Sequence, residues 1–176
     1  RPQQDLPGGI YREGWIAPSW RDDGQGPALA NAALGFLKEH RRTTPDRPFF
    51  VYYAATANHF PHVPPAELNG KPVRGQGGQD DNKPLRNDMI VENDLIVGEL
   101  LGFLEDPNGD GDRADSIAGR TLFLVTSDNG ADFGYYAPIR DKKGSIYEGG
   151  HRVPLIARWP GRVPAGASTA QTVSLV

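Results

Sequence analysis

Three short stretches carry side chains that could do chemistry, each beside glycines or prolines that would fix its place. The first is Asp128-Asn129-Gly130, directly after the apolar run Thr121–Thr126. Carboxylate and amide oxygens are hard donors suited to Ca²⁺ or Mg²⁺. In open α/β sheets, ligands sit beyond the carboxyl ends of strands. The same triplet is also ordinary turn sequence. The second is Asn58-His59-Phe60-Pro61-His62. A histidine on a proline-stiffened loop can donate a proton or contact an oxyanion near neutral pH; it can equally be a surface loop residue. The third runs from Lys142-Lys143-Gly144 through Tyr147-Glu148-Gly149-Gly150-His151-Arg152 to Pro154. A lysine beside glycine can reach an anionic oxygen as a compact point charge, or can simply be solvated on a glycine-rich loop.

Two other stretches have the outline of a site and fail on a key residue. Asp106 to Asp112 begins like a calcium loop, with oxygen-bearing residues at alternate positions and glycine at the sixth. The twelfth position, which should be a bidentate acid, is Ile117, so the stretch reads as a polar turn. Thr43-Thr44-Pro45-Asp46-Arg47 has the form nucleophile-x-Pro-x-Arg. It begins with threonine and falls between a helix end and a strand start, so it reads as a connecting turn.

The elements that must position these residues follow from periodicity. Residues 1–26, rich in Pro, Gly and Trp and without a period, read as an extended arm. A helix is expected from Gly26-Pro27, with Pro27 at the first helical position. Leu29, Ala32, Ala33, Phe36 and Leu37 follow helical spacing, and Lys38, His40, Arg41 and Arg42 suit the dipole in its last turn. Phe49–Ala54 is β-prone without alternation, which predicts a strand buried on both faces. A long loop holding His59 and His62 follows. A second helix is expected from Arg86 to Glu105, with Met89, Ile96, Val97, Leu100, Leu101 and Leu104 as its apolar stripe. Thr121–Thr126 and Val153–Trp159 read as two more strands. This order implies an α/β fold, part of a mostly parallel sheet flanked by helices. Residues 27–176 form its core portion, in a single incomplete domain.

Composition narrows the classes of function. The 176 residues carry 19 Lys plus Arg against 22 Asp plus Glu, a net charge of −3. That balance suits neither nucleic-acid phosphates nor an anionic membrane. No apolar run approaches the ~20 residues of a membrane span, and no signal-like segment opens the chain. Cysteine is absent, which excludes disulfides, thiolate zinc and a cysteine nucleophile among these residues. Gly (22) and Pro (16) exceed a fifth of the chain, as expected of a loop-rich body whose loops carry function.

Three segments taken together resemble the sulfatase family of the alkaline-phosphatase-like superfamily. They are Arg47–Ala54 running into Asn58-His59-Phe60-Pro61, Thr121–Gly130 with its Thr-Ser-Asp-Asn-Gly ending, and Lys143–Gly161 with Tyr-Glu-Gly-Gly-His-Arg-Val-Pro. The likeness covers roughly residues 25–176 and is nearest to the arylsulfatase-A-like bacterial branch. It implies a Ca²⁺ cofactor, with Asp128 and Asn129 matching ligands that complete the metal site. It implies that His59 contacts the sulfate ester near its leaving-group oxygen and that Lys143, not Lys142, binds the sulfate. Glu148, Gly149, Gly150 and Arg152 match the framework of that loop, and His62 the substrate entrance.

The resemblance also marks what these residues lack. The family's nucleophile is a formylglycine made from Cys or Ser in a Cys/Ser-x-Pro-x-Arg motif, which is absent here. The paired aspartates that complete the metal site are missing too. Both normally lie upstream of the region matched, so the chain resembles the middle of a sulfatase. By that likeness it is a sulfuric-ester hydrolase acting on a sulfated small molecule or glycan, inactive by itself, with export to a periplasm or the exterior expected. Two alternatives stay open: a phosphodiesterase or phosphonate hydrolase on the same fold, and a non-catalytic module that binds sulfated glycans.

Overall fold

The computed structural model describes residues 17–78, 84–132 and 138–174. The expected arm therefore lies mostly outside the described residues. Its described part is a turn at Ala17–Trp20 and a single 3₁₀ turn at Asp22–Gly24 rather than extended chain.

The described chain forms two compact units, residues 1–97 and 98–176. The first contains helix α1 (Gln25–Thr43), the short antiparallel hairpin β1 (Glu67–Leu68) and β2 (Lys71–Pro72), and most of helix α2 (Pro84–Glu105). Pro27 lies in the first turn of α1, and His40, Arg41 and Arg42 in its last. The helix stops where the Thr44 amide donates to the His40 carbonyl. The Arg47 amide then returns to the Thr44 carbonyl at 3.0 Å. Thr43–Arg47 is thus the connecting turn expected.

The core of this unit joins Ala30 and Leu37 of α1, Leu68 and Val73 of the hairpin, and Met89 and Ile96 of α2. The strand expected at 49–54 is a correction. Phe50 is 86% and Tyr52 82% exposed, and no ladder forms there. A β-prone run becomes a strand only when a second backbone takes its amides and carbonyls, and none does so among the described residues. Leu29, Ala33 and Phe36 instead face Phe50–Ala54 across an open apolar groove.

The second unit packs Leu100, Phe103 and Leu104 of α2 against Ile117 and Ala118. The 106–112 stretch is the polar turn expected. The Asp106 carboxylate accepts the Gly109 amide at 2.7 Å and the Gly111 amide at 2.9 Å, and Ile117 is buried in the core. Strand β3 (Phe123–Thr126) pairs antiparallel with β4 (Leu155–Arg158), with Phe123 opposite Arg158 and Thr126 opposite Leu155. A four-residue helix, α3 (Glu148–His151), precedes β4. Both described strand pairs are antiparallel; the ladder of a parallel sheet is not among the described residues. Glu105 at the end of α2 ties the unit together, pairing with Arg158 of β4 and with Arg113 at 2.8 Å.

Candidate active site

Asp128 and Asn129 sit just beyond the carboxyl end of β3, where the sequence placed them. The Asp128 carboxylate is exposed, with the Ser127 hydroxyl 3.5 Å away. That hydroxyl is committed more closely to the Asn129 carbonyl, at 2.9 Å. The Asn129 side-chain nitrogen donates to the Gly130 carbonyl at 2.9 Å, so Oδ1 remains as its acceptor. Two hard oxygen donors therefore stand together at the strand end.

The lysine loop closes on this turn through the backbone. The Gly130 amide donates to the Gly150 carbonyl at 2.8 Å, and the Lys143 amide to the Ala131 carbonyl at 3.0 Å. The Gly149 amide donates to the Arg140 carbonyl at 2.9 Å. Glycine is required by the approach: a Cβ on Gly130 would collide with the Gly149 carbonyl, and one on Gly149 with the Asp141 carbonyl. The link to Ala131 is made by Lys143, which is half-buried; Lys142 is exposed. The structure thus brings Asp128, Asn129 and Lys143 into adjoining segments of one unit. Sequence reasoning passed over Arg140, whose guanidinium lies 3.5 Å from the centre of the Tyr147 ring, a cation–π contact on the same loop. Nothing in its spacing signals that contact.

His59 belongs to the other unit, on an exposed turn closed by its own amide donating to the Thr56 carbonyl at 3.3 Å. Its Nδ1 lies 2.7 Å from the Phe60 carbonyl. A carbonyl only accepts, so Nδ1 carries a proton and Nε2 is the nitrogen left for a ligand. His62 stacks edge-on against Phe60, with ring centroids 5.9 Å apart. Asn58, at φ 78°, is in the left-handed region, which asparagine tolerates better than most residues.

Helix α2 supplies polar groups that the apolar pattern concealed. Asp88 and Glu92, each 3% exposed, lie in the same four-residue row as Ile96, Leu100 and Leu104. That spacing was the available signal. Asp88 accepts the Gly75 and Gly77 amides, each at 2.8 Å, and so fastens the loop after β2. Glu92 sits against Gly26 of α1, where any Cβ would meet its carboxyl group. Burial pushes the Glu92 carboxyl up to about 7. Burial, and secondarily the Glu92 charge, pushes the Tyr53 phenol up to about 12.

Comparison with known proteins gives the family. The model of the sulfatase family matches residues 13–176. The chain belongs to the sulfatase family, whose domain has an alkaline-phosphatase-like α/β fold. It is 39% identical over 153 residues to a sulfatase of Formosa agariphila, covering 85% of this chain and 27% of that protein. It is 30% identical over 174 residues to an N-acetylgalactosamine-6-O-sulfatase of Bacteroides thetaiotaomicron, covering 88% and 30%. Human arylsulfatase A is 32% identical over 136 residues, covering 74% and 24%. The chain spans between 24% and 30% of the length of these relatives.

Proposed function

We propose that this chain is part of an enzyme that hydrolyses sulfate monoesters, with Lys143, His59, Asp128 and Asn129 as its contribution to the active site. The observation that carries the reading is the backbone lock between the Asn129–Ala131 turn and the Lys143–Gly150 loop. It joins the segments that carry Lys143, Asp128 and Asn129, in a chain of this family.

The chemistry assigns the roles. A sulfate ester carries anionic oxygens whose charge shifts as the S–O bond breaks, so fixed positive charge around them lowers the barrier. Lys143 binds and orients the sulfate. As an imidazolium, His59 gives its Nε2 proton to the departing oxygen and keeps its Nδ1 proton on the Phe60 carbonyl. Asp128 and Asn129 fit a Ca²⁺ ion by donor type, as part of a shell of about 6–8 oxygens, and no cluster of three acidic, histidine or cysteine residues occurs among the described residues. When bound, the ion adds positive charge beside the sulfate. The nucleophile, a formylglycine in this reading, is outside these 176 residues, which contain no cysteine. The rest of the metal shell and the mostly parallel sheet are proposed to be completed by further sequence as well. The substrate class is a sulfated small molecule or glycan, handled outside the cytoplasm. No helix among the described residues is long and apolar enough to cross a membrane.

The test is kcat/KM of the intact enzyme on paired sulfate and phosphate esters of one alcohol. Wild type is expected to prefer the sulfate. Lys143→Ala is expected to lose about 10²–10³-fold on every sulfate ester, the scale for removing one fixed oxyanion contact. A preference for phosphate, or a Lys143→Ala enzyme as fast as wild type, would overturn the reading.

A further inference from the structure

Between Arg140 and Tyr147 the loop that carries Lys143 has no helix or strand of its own. Its two large side chains beyond the lysine, Ile146 and Tyr147, are exposed, Ile146 at 88%, so burial in a core does not set its shape. Lys143 occupies a turn in which the Ser145 amide donates to the Lys142 carbonyl at 3.1 Å. Gly144 completes that turn at φ 86°, the left-handed position that calls for glycine. A chain of contacts runs from the turn to Arg140. The Ser145 hydroxyl accepts the Tyr147 amide at 3.1 Å. The Arg140 guanidinium lies 3.5 Å from the centre of the Tyr147 ring. The Arg140 carbonyl then accepts the Gly149 amide at 2.9 Å.

The cation of Arg140 has no carboxylate partner among the described residues. The acids near it are engaged elsewhere. Asp141 accepts the Lys142 amide at 3.0 Å, and Glu148 pairs with Arg152. The stack on Tyr147 therefore joins a residue three before Lys143 to one four after it. It crosses the mouth of the loop, where Gly149 and Gly150 bring no side chains. A lysine carries its charge on a long flexible stem, so the charge is well placed only when the backbone beneath it is held.

We propose that Arg140 and Tyr147 form a clamp that positions Lys143. Both are positioning residues, acting through the lysine and not on the substrate. The stack closes the mouth, the Ser145 links carry that closure to the turn, and the Lys143 backbone stays on the Ala131 carbonyl. Without the clamp Lys143 is in place for a smaller fraction of the time, and the apparent affinity for the anion falls by that fraction. This rests on the reading of Lys143 as the sulfate-binding cation.

The experiment measures kcat/KM of the intact enzyme on 4-nitrophenyl sulfate and on an alkyl sulfate. Tyr147→Leu, which removes the ring, is expected to slow both esters alike by about tenfold, the scale of one cation–π contact read as a population. Tyr147→Phe, which keeps the ring, should stay within about twofold of wild type. Arg140→Gln, which removes the charge, should match Tyr147→Leu, and takes its place should Tyr147→Leu not fold. A double variant separates positioning from a merely structural role. Added to Lys143→Ala, either substitution should cost no more than about twofold further, because the clamp then has nothing to position. Tyr147→Leu or Arg140→Gln as fast as wild type, Tyr147→Phe as slow as Tyr147→Leu, or a full further loss in the double variant overturns the proposal. A second readout does not need activity. The Lys143 amide, bonded to the Ala131 carbonyl, should exchange its hydrogen about tenfold faster in Tyr147→Leu and Arg140→Gln than in wild type or Tyr147→Phe. Unchanged exchange overturns the clamp. Should Lys143→Ala cleave sulfate esters as fast as wild type, the sulfate-binding reading fails, and exchange alone decides the clamp.

Discussion

The turn at Asp128–Ala131 and the turn at His59 are held in opposite ways. The first is locked by main-chain hydrogen bonds to the Lys143–Gly150 loop, with glycines where the backbones meet. The second is tied to α2 by a side-chain contact, the Asn93 amide donating to the Ala57 carbonyl at 3.5 Å. A backbone lock has no rotamers, so it suits groups that must hold a fixed geometry. A side-chain anchor has rotamers and can release its partner.

The largest effect expected from this difference is at Gly149. Replacing it with alanine drives a Cβ into the Asp141 carbonyl, and a backbone neighbour cannot swing aside as a side-chain tip can. The loss should be about 3 kcal/mol or more, or failure to fold, read by denaturant unfolding of the intact protein. By contrast, Gly26→Ala meets only the end of the Glu92 side chain and should cost less. Equal costs at the two sites would erase the distinction between them.

Next in size is His59→Ala. It should slow alkyl or sugar sulfates about 10²-fold relative to 4-nitrophenyl sulfate, whereas Lys143→Ala should slow both alike, because every sulfate ester presents the same oxygens. The check is kcat/KM against leaving-group pKa. Parallel slopes for wild type and both variants would mean that His59 only binds sulfate.

The pH dependence of stability sharpens the comparison further. Burial raises the folded pKa of Glu92 from 4.5 to about 7. The folded state therefore holds an extra proton between these values, and the associated stability is present at low pH and lost as pH rises through about 7. Stability of the intact protein, followed by thermal unfolding, should weaken across that window by about 3 kcal/mol at most. Glu92→Gln should flatten this dependence, and Asp128→Asn should leave it in place. The smallest effect is at the exposed Arg152–Glu148 pair, 2.9 Å apart and one helical turn apart. Arg152→Ala should change stability by about 0.5 kcal/mol or less.

Much of this arrangement was legible in the sequence because it depends on local rules. Pro27 and the terminal cations marked the start and end of α1, and the four-residue row marked α2. The oxygen donors fell at a strand end, and the resemblance marked Gly149 and Gly150 as framework of the lysine loop. The strand read at 49–54 was not fixed in the same way. A run such as Phe49–Ala54 has β propensity in itself, but its pairing and burial depend on a second backbone that local sequence does not specify. The direction of β3 against β4 also lies beyond local sequence, because a ladder is set by the path of the intervening chain. Which of Lys142 and Lys143 reaches the Asp128 turn by its backbone was decided by packing, as was the burial of Asp88 and Glu92. The sequence by itself determined which groups could act and roughly where the two long helices begin and end. Tertiary structure alone decided which backbones lie within hydrogen-bond reach, and which carboxyl group loses its water and so has its pKa raised.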